Sequence, residues 1–141
     1  MRYNLFMTHA RAMLASSPSP IRGVDVALLA EAVQAAFDCA QTCTACANAC
    51  LGEPNVADLV RCIRLNMHCA DLCDTTGRLI SRQENPDLAR AILEACILAC
   101  RLCAEECARH SHMEHCRVCA DACRACEQSC QRVLAALPAT K

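Results

Sequence analysis

The sequence predicts an all-α protein, an antiparallel up-down-up-down four-helix bundle with a short N-terminal helix. The chain is rich in Ala, Leu, Arg, Glu and Gln, which are good helix formers. Turn-forming residues divide most of it into four long segments, and the connections between them are short enough for antiparallel neighbours. Its 141 residues suffice for one domain with a single core. We expect residues 1–23 to form an N-terminal helix and linker, and residues 24–141 to form a Cys-lined bundle.

A short amphipathic segment precedes the bundle. Apolar residues recur on roughly one face of a helix over residues 3–14. Pro18, Pro20 and Gly23 then separate this segment from the rest of the chain. We therefore expect a short helix that packs on the bundle or on a neighbouring subunit.

Helix stop and start signals define the four bundle segments. Breaks fall at Gly52, at Pro86 and near residues 110–113. Asp and Asn are favoured at helix N-termini and Gly just after C-termini, so we expect caps at Asp25 and Asn55 and a helix end at Gly52. The predicted segments run over about residues 24–51, 56–83, 87–109 and 113–136.

The sixteen cysteines share one register on all four segments. They follow one another in alternating steps of three and four residues, and Asn66 takes one of these positions in the second segment. Such steps place side chains along one stripe of a helix, the stripe that faces a bundle axis. The stripes consist of Cys39, Cys43, Cys46, Cys50, Cys62, Cys69, Cys73, Cys96, Cys100, Cys103, Cys107, Cys116, Cys119, Cys123, Cys126 and Cys130.

A seam of cysteine leaves space that protein atoms alone do not fill. Bundle helices lie about 8–10 Å apart, and Cys is much smaller than the Leu or Ile that usually occupies the seam. The chain has only three aromatic residues to compensate, and voids cost roughly 24 cal/mol per Å³. Cys acting as a small buried hydrophobe explains one or two positions, but not sixteen in register. The pattern therefore indicates a ligand between the thiols.

Disulfides and iron–sulfur clusters fit this pattern poorly. Cysteines at i and i+4 on an intact helix have Cβ atoms about 5–6 Å apart, whereas a disulfide needs about 3.5–4.5 Å. Bridges between helices stay open as an alternative, although a reducing cytosol opposes them. The ferredoxin run C-x2-C-x2-C-x3-C-P is absent, and no Cys precedes a Pro.

Charge favours multiple Cu(I) ions over zinc. Four thiolates around each zinc would leave two excess negative charges per site, and the core-facing positions hold no Lys or Arg to compensate them. A Cu(I) ion carries one charge and tolerates low coordination by soft thiolates, so about one ion per thiolate leaves the core nearly neutral. This capacity points to storage rather than catalysis.

Other functions stay open at this point. One alternative is a thiol redox protein, although most C-x-x-C pairs lie inside segments and not at helix N-termini, where the dipole lowers a thiol pKa. Another alternative is a zinc or general soft-metal buffer. We find no catalytic constellation and no nucleotide motif, so we do not expect an enzyme.

One end of the predicted bundle collects three of the five histidines. In an antiparallel bundle, the first connection and the third lie at the same end, together with Cys50, Cys62, Cys107 and Cys116. A polar, exposed loop is the alternative to a metal entrance there. The groups expected to receive copper at this entrance are His110, His112, His115 and Asp58. Apolar residues should close the opposite end, namely Ala32, Ala36, Leu93, Val133 and Leu137.

Composition also excludes several partners. The formal net charge is −1 without a basic patch, which argues against nucleic acid. No apolar run approaches the ~20 residues that span a membrane. Neither a secretory leader nor a twin-Arg pattern is recognisable, which predicts a cytoplasmic protein. Ile97 and Leu98, expected to face outward, indicate oligomer contacts only weakly.

Repeated C-x3-C-x2-C-x3-C stripes, with a His-rich turn before the last segment, resemble the bacterial copper storage proteins over about residues 24–136. The missing export signal makes the chain similar to the cytosolic branch of that family. The resemblance implies Cu(I) bound along the core by all sixteen cysteines, His or Asp ligands at the open end, and a homotetramer. A copper chaperone or a low-molecular-weight thiol is the expected donor. Asn66 leaves the local metal arrangement open.

Overall fold

The computed structural model describes residues 8–139, which contain five α-helices and one 3-10 helix. Helix α2 packs against α3 and α5, and α4 packs against the same two helices, which confirms the predicted four-helix bundle. The short α1 packs against α2. No described helix is long and apolar enough to cross a membrane. The elements are α1 (Ala10–Ala15), α2 (Val26–Leu51), the 3-10 helix Val56–Leu59, α3 (Val60–Ser81), α4 (Pro86–Ala108) and α5 (Glu114–Ala136).

Side-chain caps begin two of the four long helices. The Asp25 carboxylate accepts a hydrogen bond from the Ala27 amide at 3.1 Å, as predicted for α2. The Asn85 side chain accepts a hydrogen bond from the Leu88 amide at 3.0 Å and caps the start of α4. The proline that follows Asn85 suits the first helical position. Asn55, in contrast, makes no side-chain capping bond, and the chain after it is a 3-10 helix that continues into α3.

The N-terminal segment is fastened to the turn between α3 and α4. Helix α1 is shorter than the segment predicted, and residues 3–7 of that prediction lie outside the described part of the chain. Gln83, which is buried, accepts a hydrogen bond from the Ile21 amide at 3.1 Å and donates one to the Leu14 carbonyl at 3.4 Å. This segment therefore packs on its own bundle. The division of the chain at residue 23 stays a prediction.

The core consists of thiols, closed at one end by apolar side chains. Each of the sixteen cysteines is at most 1% exposed. Ile97 is also buried and belongs to the hydrophobic core, so the expectation that it faces outward was wrong; it lies three residues before Cys100, at the edge of the core-facing stripe. Leu98 is 53% exposed, as expected. The predicted apolar end is buried throughout and comprises Ala32, Ala36, Leu93, Val133 and Leu137.

Candidate metal centre

The thiols line the bundle axis, most of them in one network of sulfur–sulfur contacts, and a second group of Cys46, Cys50 and Cys116 joins it where Cys46 lies within 4.8 Å of Cys107 and Cys119. Neighbouring Sγ atoms lie 3.6–4.0 Å apart, both within one helix and between helices. Cys73 on α3 shows the pattern, because its sulfur lies 3.6–3.8 Å from those of Cys69, Cys96, Cys100 and Cys126. One sulfur thus connects three helices. The common register of the cysteines correctly predicted this convergence.

All sixteen cysteines fall within the described residues, and all are free thiols. Their spacing is far longer than the S–S bond of about 2.05 Å, so the core has no cystine. Several groups of four sulfurs have every member within 4.8 Å of the others, and they share members along the axis. Three of these groups are Cys39–Cys73–Cys100–Cys126, Cys39–Cys43–Cys69–Cys123 and Cys43–Cys103–Cys119–Cys123.

The sulfur spacing suits thiolates that share metal ions. With metal–sulfur bonds of about 2.3 Å, two sulfurs on one ion lie about 3.8 Å apart at a tetrahedral angle and about 4.6 Å apart in a linear arrangement. The observed 3.6–4.0 Å therefore fits an angular geometry directly, and a linear one needs the pair to open by about 0.6–1 Å. The charge of the metal ion also distinguishes the candidates. No Lys or Arg is buried among the described residues, so the bound ions alone must balance the negative charge of the thiolates.

Asn66 occupies the gap in the α3 stripe. Its side chain is fully buried, and Oδ1 accepts hydrogen bonds from the Cys103 and Cys119 thiols, both at 3.1 Å. The amide Nδ2 donates to Cys62 at 3.7 Å. A hydrogen-bonding amide thus stands where the register would place a sulfur. The thiol network passes around it through α4 and α5.

The four thiols predicted to share one end do lie there, as two pairs. The Cys50 and Cys116 sulfurs are 4.0 Å apart, and those of Cys62 and Cys107 are 3.7 Å apart. All four side chains are 0% exposed. We call this end of the thiol network, formed by these four cysteines, the mouth. Its sulfurs are covered by other side chains.

His115 is the predicted histidine that reaches the thiols. Its Nδ1 lies 3.4 Å from the Cys46 sulfur and 3.6 Å from that of Cys116. Cys50 belongs to the same group of four potential ligands, all within 4.8 Å of one another. The side chain is 25% exposed. His115 therefore connects the mouth with solvent.

The other predicted entrance residues form no hydrogen bond to a thiol among residues 8–139. His110 Nε2 lies 2.9 Å from a Glu106 carboxylate oxygen, and the histidine is 16% exposed. His112 and Asp58 are exposed, and within the described residues neither has a hydrogen bond to a thiol. Whether these side chains bind metal stays a prediction.

Two carboxylates that the sequence did not single out hold the mouth histidines. Glu53, in the turn after α2, lies 2.8 Å from His115 Nε2. Glu106 is only 7% exposed and contacts His110. The four-residue spacing from Glu106 to His110 is a signal that could have predicted their contact. No such signal connects Glu53 with His115, because 62 residues separate them.

Burial and neighbouring charges set the acidity of the mouth thiols. Burial, together with the charge of nearby Cys62, raises the pKa of Cys50 to about 11. Burial likewise raises the pKa of Cys116. The hydrogen bond with Cys107 lowers the pKa of Cys62, and the charge of His110 acts in the same direction. A thiol that ionises readily therefore lies beside two that resist ionisation.

Comparison with known proteins gives a consistent match over the bundle. The family described as copper storage protein matches residues 26–135. YhjQ of Bacillus subtilis (strain 168), an uncharacterized cysteine-rich protein, is 34% identical over 103 residues, which are 73% of this chain and 93% of that protein.

Two solved structures of a Streptomyces lividans protein are similar as well. The copper storage protein Ccsp loaded with 10 copper equivalents is 50% identical, covers 91% of this chain and 99% of its own, and superposes with a TM-score of 0.88. A cytosolic copper storage protein from the same organism, with five coppers, is 52% identical over 79% of this chain and 96% of its own, with a TM-score of 0.77.

Proposed function

The chain belongs to the copper storage protein family, and we propose that it stores multiple Cu(I) ions in the cytoplasm on its sixteen core thiols. The observation that carries the proposal is the column of sixteen free thiols, in which neighbouring sulfurs lie 3.6–4.0 Å apart and the Cys46 group lies within 4.8 Å of the rest. Thiolates are the soft ligands that Cu(I) prefers. The proposed role is sequestration, without catalysis.

Charge balance supports the choice of Cu(I). Sixteen thiolates in a buried column carry a large negative charge, and isolated buried charge is very unfavourable. One monovalent ion per bridging thiolate removes that charge, whereas one divalent ion per four thiolates removes only half of it. No buried cationic side chain among the described residues supplies the remainder.

We assign the mouth as the metal entrance. His115 is the proposed ligand there, together with the thiols of Cys46 and Cys116 that its Nδ1 approaches. His110, His112 and Asp58 are proposed to receive ions before the thiols do. The polar side chains around the mouth contrast with the aliphatic residues that close the opposite end.

A zinc or general soft-metal buffer is the second candidate function, and the sulfur spacing favours it. Tetrahedral Zn²⁺ with bonds of about 2.3 Å needs sulfurs about 3.8 Å apart, which is within the observed range of 3.6–4.0 Å. Charge opposes it for the reason given above. The two candidates differ in capacity, with about four zinc ions or about sixteen copper ions per chain.

Metal titration of the reduced protein tests both functions. We expect Cu(I), added against a competing chelator, to saturate at on the order of one ion per thiol with helical circular dichroism unchanged. Saturation at one or two Cu(I) ions contradicts storage, and tighter binding of about four Zn²⁺ supports the buffer. Cys73→Ser should lose about one Cu(I) ion, and the exposed Thr44→Ser is the matched control.

A homotetramer is proposed for the assembly. An apolar groove of about 300 Å³ on α3 and α4 supports a contact between copies. It is lined by Leu65, Leu72, Leu98 and Leu102, among others, and exposes almost no polar surface. Light scattering coupled to gel filtration should give the mass of four chains. A monomer at all concentrations contradicts the proposal.

Supply of copper by a copper chaperone or a low-molecular-weight thiol is proposed for the cytoplasm. Both hold Cu(I) through sulfur, so transfer to the mouth exchanges one thiolate ligand for another. Adding Cu(I) bound to glutathione to the metal-free protein tests this, with loading followed by the absorbance of the copper–thiolate clusters. Failure to load from any thiol-bound source contradicts it.

A further inference from the structure

We propose that Glu53 is a positioning residue that holds the proton of the His115 ring on Nε2 and thereby turns an unprotonated Nδ1 toward the mouth thiols. The inference rests on the proposed function in one respect, because it takes a metal ion to be the partner that Nδ1 awaits. It adds a residue to that site and assigns a hydrogen-bonding role to a carboxylate that the cysteine pattern does not include.

The hydrogen-bond geometry determines which nitrogen carries the proton. His115 Nε2 lies 2.8 Å from Oε2 of Glu53. An ionised carboxylate only accepts hydrogen bonds, so Nε2 must be the donor. In a neutral imidazole the other nitrogen then has a free lone pair. That nitrogen is Nδ1, which lies 3.4 Å from the Cys46 sulfur.

The alternative tautomer would close the site. With its proton on Nδ1, the ring would direct an N–H group at Cys46 and Cys116 and have no lone pair on that side for a metal. Nε2, lacking a proton, would then place its lone pair against the Glu53 carboxylate at 2.8 Å. Two acceptors at this distance repel each other, so Glu53 disfavours this tautomer.

Glu53 is well placed for this role. Its amide donates to the Cys50 carbonyl at 3.2 Å, which fastens the turn to the end of α2. The Glu53 side chain is 29% exposed and that of His115 is 25% exposed, so the hydrogen bond is partly shielded from water. Among residues 8–139, the carboxylate has its ion-pair contact with His115 alone. The carboxylate is thus held near the end of α2 and is not shared with an arginine.

The second carboxylate–histidine pair differs in this respect. Glu106 contacts His110 at 2.9 Å, but Arg61 and Arg109 also lie within 3.6 and 3.9 Å of its other oxygen. His110 has no hydrogen bond to a thiol within the described residues. The geometry therefore assigns the tautomer-setting role to Glu53 and not to Glu106.

Nitrogen NMR on the metal-free protein tests the tautomer directly. Long-range ¹H–¹⁵N correlation at about pH 8 distinguishes the two neutral forms of a histidine ring. We expect His115 in the wild type to be the Nε2–H form, and Glu53→Ala to show a mixture of both forms. Glu53→Gln should largely retain the Nε2–H form, because its amide oxygen also accepts a hydrogen bond. A wild-type spectrum retained in Glu53→Ala overturns the proposal.

A loading experiment tests the consequence for metal uptake. Stopped-flow mixing with substoichiometric Cu(I) should load Glu53→Ala about tenfold more slowly than the wild type, as loss of outer-shell partners costs 10–100-fold at other metal sites. Total capacity should be unchanged, because the core thiols remain. The matched control is Glu114→Ala, since Glu114 is exposed, adjacent to His115 in sequence and paired with Arg117 instead.

The outcomes separate the two proposals. Equal loading rates for Glu53→Ala, Glu114→Ala and the wild type overturn the positioning role. A wild type that saturates at one or two Cu(I) ions overturns storage, but the tautomer result on metal-free protein remains decisive for Glu53. Should Glu53→Ala fail to fold, Glu53→Gln and Glu53→Asp give the same readouts, with the shorter Asp expected to resemble the alanine variant.

Discussion

The Oδ1 atom of Asn66 accepts a hydrogen bond from the Cys119 thiol at 3.1 Å, across the core from α3 to α5. The Asn66 side chain therefore fills the break in the α3 cysteine stripe and extends far enough into the core to contact the surrounding thiols. The same oxygen accepts a hydrogen bond from Cys103, so the Asn66 amide contacts thiols of both α4 and α5. The role of this position can be tested by completing the stripe.

Asn66→Cys should increase the copper capacity by about one ion per chain. The new sulfur would take the register position between Cys62 and Cys69, within reach of the thiols that the amide now contacts. Cu(I) titration against a chelator measures the change. Asn66→Ser, which removes the amide without adding a thiol, should leave capacity as it is; an equal capacity in all three proteins contradicts the prediction.

Gly77→Ala should destabilise the bundle by about 1 kcal/mol. A Cβ at this position would lie 2.8 Å from the Phe37 ring, so the ring must move. Overpacking of this kind costs about 1–3 kcal/mol, and the better helix propensity of Ala returns up to about 1 kcal/mol. Urea unfolding of the reduced, metal-free protein gives the difference.

Two further variants show whether the Phe37 contact is the cause. Gly52 ends α2 at φ −90°, and a Cβ there would have its nearest contact at 3.5 Å, so Gly52→Ala should not destabilise the protein. Combining Gly77→Ala with Phe37→Leu should recover part of the loss. If the stability losses of Gly77→Ala and Phe37→Leu simply added in the double variant, the contact with the Phe37 ring would not be the cause.

Asn85→Ala should cost about 1 kcal/mol, because it removes the side-chain cap of α4. Asn85 accepts a hydrogen bond from the Leu88 amide at 3.0 Å. Asn55 precedes the 3-10 helix without such a bond, so Asn55→Ala should change the free energy of unfolding by less than about 0.5 kcal/mol. If Asn85→Ala and Asn55→Ala lowered the free energy of unfolding equally, the side-chain cap would not be the source of the loss.

The metal-free protein should lose stability as the pH rises above neutral. Burial raises the folded-state pKa of Cys50 to about 11, above the ordinary thiol value of about 8.5. For a raised pKa, the stabilisation is fully present below the unfolded-state value and is lost as the pH rises through the folded-state value. The urea midpoint should therefore fall between about pH 8.5 and 11.

Two comparisons isolate this effect from thiols that titrate in the opposite direction, such as Cys62, whose pKa is lowered. The fall in the urea midpoint should be smaller in Cys50→Ser than in the wild type. The copper-loaded protein, whose bound sulfurs have no proton to lose, should show little fall. A midpoint that rises with pH in the wild type contradicts the assignment.

The steps between cysteines predicted the core well, because a helix converts spacing into direction without help from the rest of the chain. Sulfurs at three- and four-residue intervals must lie on one stripe, and four such stripes can only share a central axis. Ile97 shows the limit of this reasoning. Its burial depends on how far a neighbouring helix covers the flank of α4, and spacing along one helix does not specify that.

The mouth was predicted in position but not in detail. Chain direction places His110, His112 and His115 at one end of the bundle, yet a turn does not fix where each ring points. The structure directs His115 at sulfur and His110 at Glu106. Glu53 could not be associated with His115 from sequence, because their contact depends on the packing of two connections far apart in the chain.

The aliphatic closure of one end has a consequence for exchange. Leu93 and Val133 are buried beyond the last sulfurs at that end. Within the described part of the chain, the column of thiols is therefore closed at that end by side chains. With the mouth as the proposed entrance, an ion beside Cys130 would have to pass the positions nearer the mouth in order to leave. Ions should therefore depart in the reverse of the order in which they arrived, and the deepest should have the longest residence time.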